Sequence, residues 1–134
     1  MSATWALQQA VFATLSADSA VAALVGSAIF DAVPREGDFP RIIIGEGQEL
    51  DWSTATDEGS EHRFLVTVWS RKEGHGEAKE IAAAIHDALH EAELSVTGQA
   101  LISLRHLSTD FARERDGKTW RATLKFRAVL EPNA

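Results

Sequence analysis

Thr109-Asp110-Phe111-Ala112-Arg113-Glu114-Arg115-Asp116-Gly117-Lys118-Thr119-Trp120-Arg121-Ala122-Thr123-Leu124-Lys125-Phe126 reads as two extended runs around an Asp-Gly pair. Asp-Gly favours a type I′ hairpin turn, because both central residues must tolerate positive φ. A two-residue loop pairs Arg115 with Lys118, and the register follows by counting outward. Phe111 then falls opposite Ala122, Thr109 opposite Leu124 and Leu107 opposite Phe126. These side chains share one face with Trp120 and Ala128, a continuous apolar side. The other face sets Asp110 against Thr123, Ser108 against Lys125 and His106 against Arg127, with Glu114 and Arg121 beside them.

Working back from the hairpin, a short strand is possible in the pattern near Leu94–Val96, preceded by a clear amphipathic helix. Ala78, Ile81, Ala82, Ile85, Ala88 and Leu89 form its apolar stripe, while Glu77, Lys79, Glu80, Asp87 and Glu91 fall largely outside it. His62 to Arg71 alternates, with Phe64, Val66 and Val68 on one side and Arg63, Leu65, Thr67, Trp69 and Arg71 on the other. Large apolar groups on both sides predict a central strand covered on both faces. The segment Glu46 to Glu61 reads as a loop rich in carboxylates, with Trp52 alone in its middle. Arg41-Ile42-Ile43-Ile44-Gly45 is β-branched and extended, and Ile29 to Val33 predicts a short strand ended by Pro34.

At the N-terminus, Leu7, Val11 and Leu15 recur every four residues, with Ala10 and Thr14 completing the stripe of a first helix. Trp5 and Phe12 lie on another side of it, so this helix carries two sticky faces. Asp18 is a good N-cap, and Gly26 a good stop, for a short second helix over Ser19–Val25. The whole reads as one α+β domain over residues 1–134: an antiparallel sheet with a long C-terminal β-hairpin, packed by one or two amphipathic helices.

The chain has 134 residues, of which 13 are Lys or Arg and 20 are Asp or Glu, a net charge of −7. That balance disfavours a protein whose main task is coating phosphate backbones. The absence of Cys excludes a disulfide scaffold and thiolate metal sites. No apolar run approaches the ~18–20 residues of a membrane span, and no secretory signal is visible. The total charge conceals a split. Glu46, Glu49, Asp51, Asp57, Glu58 and Glu61 occupy a stretch without Lys or Arg, whereas Arg105, Arg113, Arg115, Lys118, Arg121, Lys125 and Arg127 make the hairpin locally basic. Two readings stand: a solvated strand face with ordinary cross-strand pairs, or head-to-tail assembly of acidic on basic regions, with Trp52 as an anchor.

The one enzyme-like pattern is His86-Asp87-Ala88-Leu89-His90, whose i, i+4 imidazoles resemble the spacing of zinc peptidases. Against it, Asp87 is one methylene shorter than the usual Glu base, and no third ligand is indicated. Gly45-Glu46-Gly47 and Gly74-His75-Gly76 lack phosphate-loop spacing, and no Ser stands in a nucleophile elbow. No catalytic set, cofactor site or metal site emerges. The alternatives to an assembly protein are a metal-dependent hydrolase using His86 and His90, and a small-molecule binding module near Trp69 and Trp120.

One further pattern runs through the chain. Phe30-Asp31-Ala32-Val33-Pro34, then Pro40-Arg41-Ile42-Ile43-Ile44-Gly45-Glu46, resembles the "Y-D-x-V-P … P-Y-V-x-I-G-E" opening of small phage tail-completion proteins. These are the tail terminators or head–tail joining proteins, also encoded by gene-transfer-agent clusters. Val66-Thr67-Val68-Trp69-Ser70-Arg71, Glu77-Ala78-Lys79-Glu80-Ile81-Ala82, Ala88-Leu89-His90, Leu101-Ile102-Ser103-Leu104-Arg105 and Asp116-Gly117-Lys118-Thr119 follow in the same order. Phe30 and Arg41 depart from the pattern: Phe30 stands where an aromatic hydroxyl is expected, and Arg41 where an aromatic is expected. The resemblance implies a non-enzymatic virion subunit forming a homo-oligomeric ring, a hexamer, that caps the tail tube and meets a head-side connector. Its implied partners are further copies of itself, the tail tube protein, the connector, and DNA passing through the lumen without sequence-specific contact. No membrane is involved. The candidate interface residues are Trp5, Phe12, Glu49, Asp51, Trp52, Asp57, Glu58, Arg113, Arg121, Lys125 and Arg127.

Overall fold

A computed structural model describes residues 1–34 and 37–133. Three helices and five strands follow in the order α1 (Ala3–Ala17), α2 (Ser19–Val25), β1 (Ile29–Phe30), β2 (Arg41–Asp51), β3 (Ser60–Ser70), α3 (Gly76–Leu89), β4 (Gln99–Arg113) and β5 (Trp120–Pro132). The strands form one sheet in the order β1-β2-β3-β5-β4. The α+β class is borne out. The sheet, however, is mixed: β1 pairs in parallel with β2 through Ile29 and Phe30, and the other pairings are antiparallel.

The helix boundaries follow local chemistry. The Ser2 hydroxyl accepts the Trp5 N–H at the start of α1, and the Asp18 carboxylate accepts the Val21 N–H at the start of α2. Gly26, at φ +60°, ends α2. Ala6, Leu7, Ala10, Val11 and Leu15 from α1 and Ala78, Ile81, Ala82, Ile85 and Leu89 from α3 are buried. They meet Ile42, Ile44, Phe64, Val66, Val68, Leu124, Phe126 and Leu130 in one continuous core. β3 is central as expected but not covered on both faces, because the helices pack on its Phe64–Val66–Val68 side. Leu65, Thr67 and Trp69 on the other side remain half-buried.

Three local expectations need correction. The segment 46–61 is mostly strand, not loop: β2 runs on to Asp51, β3 starts at Ser60, and Trp52 N–H bonds to the Gly59 carbonyl to close a shorter loop. A register shift between Ile44 and Gly47 permits this, placing Gly47 against Phe64 where a Cβ has no room. No strand forms at Leu94–Val96, where Val96 instead drops into the core. The strand expected over Ile29–Val33 stops at Phe30.

The hairpin keeps its register near the turn: Phe111 faces Ala122, Thr109 faces Leu124, Asp110 faces Thr123 and Ser108 faces Lys125. Arg115 and Lys118 do not pair, because the loop spans four residues between the Glu114 N–H and the Thr119 carbonyl, 2.7 Å apart. The Asp116 carboxylate accepts the N–H groups of Lys118 and Thr119 and the Thr119 hydroxyl. Gly117 takes φ +72°. Those donors hold the Asp116 carboxyl down at about 2. Further out, bulges between Leu101 and Ser103 and between His106 and Ser108 shift the count. His106, not Leu107, faces Phe126, and Arg105, not His106, faces Arg127.

Candidate assembly surfaces

The helix-free face of the sheet carries two similar clusters. Glu61, only 5% exposed, receives hydrogen bonds from the guanidinium groups of Arg127 and Arg63. The Arg127 bond, opposed by desolvation, holds the Glu61 carboxyl below the usual carboxylate range. The Arg127 guanidinium also lies 5.0 Å from the centre of the Trp52 ring. At the other end of the strands, Arg121 pairs with Glu114 at 3.3 Å and sits 5.7 Å from the Trp69 ring. In both places an arginine of β5 is held by a carboxylate and an aromatic plane of its own chain. Arg121 and Arg127 are therefore largely spoken for, whereas Arg113 and Lys125 are exposed and in no ion pair among the described residues.

The acidic candidates divide as well. Glu49 stands opposite His62 on β2, its carboxylate 3.9 Å from the ring, and Asp51 accepts the Ser53 N–H at the strand end. Trp52, Asp57 and Glu58 lie in the loop beyond, all exposed. The register places this loop at the Leu130 end of the sheet and the hairpin turn at the Ser70 end, about 35 Å away by strand rise. Only Trp52 and Arg127 from the two groups meet within one subunit.

Trp5 and Phe12 come together on one groove. It encloses about 480 Å³ between α1 and the β1 edge, lined also by Gln8, Gln9, Phe30 and Asp31. Sequence reasoning missed a second apolar row along β4, where Ile102, Leu107 and Phe111 are exposed. The adjacent pair Leu101-Ile102 breaks strict alternation, and that is the signal from which a bulge could have been read. Also missed was the Phe39 ring held between the guanidinium groups of Arg41 at 4.1 Å and Arg71 at 4.2 Å.

The histidines pack among themselves and against the sheet. His90 caps α3 rather than continuing it, and its Nδ1 accepts the backbone N–H of His106 at 3.0 Å. The His86 ring stacks on His90 at 4.9 Å and meets His106 edge-on at 4.9 Å, while His106 rests on Phe126. The cluster joins α3 to β4, and no group of three or more potential ligands for a metal occurs among the described residues. Trp69 and Trp120 lie on opposite faces of the sheet, since the neighbour of Trp120, Arg121, is the one that faces Trp69. They share no cleft.

The histidines carry a pH prediction. Burial, then the neighbouring His86 and His90, lowers the His106 pKa below its ordinary value. Burial likewise lowers that of His62 against a smaller pull from Glu49. Each folded-state value lies below the unfolded one, so the unfolded chain binds more protons and stability falls as pH drops below about 6.5. Urea melts at pH 7.5 and 5.5 should show the lower midpoint at pH 5.5. A His62→Gln/His106→Gln chain should show a smaller difference; an equal difference would assign the effect elsewhere.

The match to known proteins decides what such a surface belongs to. Residues 9–131 fit the model of the family described as tail completion protein gp17. The chain belongs to that family. Tail completion proteins are structural components of phage-like particles and not enzymes. A solved structure described as the virion of a native gene transfer agent particle contains a similar chain, 36% identical, with a TM-score of 0.90. The similarity covers 97% of this tail completion protein and 98% of that chain. No curated protein matches at a significant level.

Proposed function

We propose that this tail completion protein assembles head to tail into a ring, a hexamer, that caps the tail tube and joins it to the head-side connector of a phage-like particle of the gene-transfer-agent type. The observation that carries the reading is the near full-length likeness to a chain of an assembled gene transfer agent virion. Charge distribution supports it: Glu46, Glu49 and Asp51 line one side of the sheet, and Arg105 and Arg113 the other. Unlike patches on opposite edges favour a heterologous contact, which closes when the rotation allows. The loop with Trp52, Asp57 and Glu58 and the hairpin tip project from opposite ends of the strands, so they are placed to meet the tube and the connector. The net charge of −7 lets DNA pass the lumen without strong attachment or sequence reading.

Native mass spectrometry of the pure protein, alone and with tail tube subunits, tests the ring. A chain that stays monomeric and binds no tube subunit overturns it. Arg113→Glu with Lys125→Glu should weaken assembly about tenfold or more at little cost in melting temperature, because neither side chain has an ion-pair partner to lose and Arg113 gives up only an exposed contact with the Trp120 ring, 5.7 Å away. Equal assembly by both chains would remove these two basic side chains from the mechanism.

A further inference from the structure

The two edges of the sheet are unlike each other, and each carries a feature that a lone subunit leaves unsatisfied. At one edge β1 pairs with β2 only through Ile42 and Ile43, so the stretch Gly45–Asp51 has no strand on its outer side. Above this edge α1 presents Trp5 at 44% and Phe12 at 46% exposure. At the other edge lies β4, 15 residues long, with neither Pro nor Lys in it. Arg105, Asp110, Arg113 and two bulges guard this edge against open-ended pairing, while its outer side has no strand. Its bulges turn Ile102 and Leu107 out of the alternating pattern, and Phe111, in register opposite Ala122 with the Lys79 ammonium 5.1 Å from its ring, adds a third exposed apolar side chain to the strand. Most exposed large apolar side chains of the described residues thus fall on these two edges.

Resting on the ring reading above, we propose that the occupant of the α1–β1 groove is the β4 edge of the next copy, with Leu107 and Phe111 as the apolar knobs. Charge selects this partner over other apolar segments. Asp31 lines the groove and Glu46 lies beside it, while Arg105 and Arg113 flank the knobs on β4. The donor and acceptor surfaces lie on opposite sides of one sheet. A subunit can therefore give and receive at once, and two copies cannot satisfy each other by a two-fold contact through a single patch. Trp and Phe at the centre of such a contact are the residue types that carry binding energy when desolvated.

A photo-cross-linking amino acid, benzoylphenylalanine, placed at Phe12 in the full chain tests this. β1 and β4 are separated by three strands, about 19 Å by sheet spacing, so a link from the groove to the β4 rim joins two copies. After irradiation of the oligomer isolated by size, the linked peptide should fall within residues 99–113, and the reciprocal probe at Leu107 should return α1. Arg105→Glu should lower the yield about tenfold or more through repulsion from Asp31 and Glu46. A ring whose Phe12 links map elsewhere, or form none, overturns this contact and leaves the ring standing. A wild-type chain that forms no ring overturns both. Both positions are exposed, and far-ultraviolet circular dichroism of each probe-bearing chain verifies its fold.

Discussion

Phe126→Ala is expected to lower the unfolding free energy by about 3–5 kcal/mol. For a chain of this size that is a fall of roughly 10–20 °C in Tm. Phe126 is fully buried, its ring 5.5 Å from that of Phe64 in a stacked pair, and His106 lies edge-on to it at 5.6 Å. It sits on β5, which pairs with both β3 and β4, under the helix layer. Truncation therefore removes contacts to both neighbouring strands at once and leaves a cavity whose walls are regular strands with little freedom to collapse. It also takes one support from the His106 ring, leaving its bond with the Thr109 hydroxyl and its edge-on contact with His86 to hold it. Urea denaturation with an unchanged m-value would identify the loss as native-state packing. A loss below about 1 kcal/mol would mean that the sheet and α3 close the gap, contrary to the rigidity argued for this core.

Gly47→Val is expected to cost about 1–3 kcal/mol or more, as overpacking does in a closed interior. A Cβ at Gly47 meets the Arg63 carbonyl oxygen at 2.7 Å and the Phe64 Cα at 3.0 Å. Both are backbone atoms of β3, so no rotamer change relieves the clash, and the β2–β3 ladder must part. The consequence reaches function. Beyond Gly47 the strand carries Gln48, Glu49, Leu50 and Asp51, the acidic edge proposed above for subunit contact, and a displaced ladder moves those carboxylates. Assembly should fall together with stability. Gly76→Ala is the control, because no atom lies within 4 Å of a Cβ there and the residue opens α3. It should be neutral or stabilising by up to about 1 kcal/mol. If Gly47→Val unfolds no earlier than Gly76→Ala, the close approach of β2 to β3 is not the constraint argued here.

Residues with strong local chemistry were legible in the chain alone. Asp18 and Gly26 bracket α2 because capping is decided by neighbours within a few positions. The stripes Leu7–Val11–Leu15 and Ile81–Ala82–Ile85 predict the buried faces of α1 and α3, since helical period maps directly onto one face. The hairpin register from Thr109 to Phe111 followed from the turn alone. The family pattern was likewise legible, because it is a succession of short motifs in order.

What long-range geometry controls could not be read this way. The bulges at Ile102, Leu107 and Gly47 depend on how one strand fits the twist of its neighbour, and one inserted residue reverses which face every later side chain takes. For that reason Leu107 moved from the core to the rim. Carboxylates suggest a loop by composition, yet β2 carries Glu49 and Asp51 as strand because β3, itself held in the sheet by β5 and the core, supplies its hydrogen bonds in a ladder that runs out to Asp51 and Ser60. The same holds for charge. Sequence alone determined that an acidic middle is followed by a basic hairpin. Only the tertiary structure decided that Glu61 and Glu114 already hold Arg127 and Arg121, leaving Arg105, Arg113 and Lys125 outside any ion pair among the described residues. Pairing of charges is set by distances across the sheet, and those distances exist only after the strands have been laid side by side.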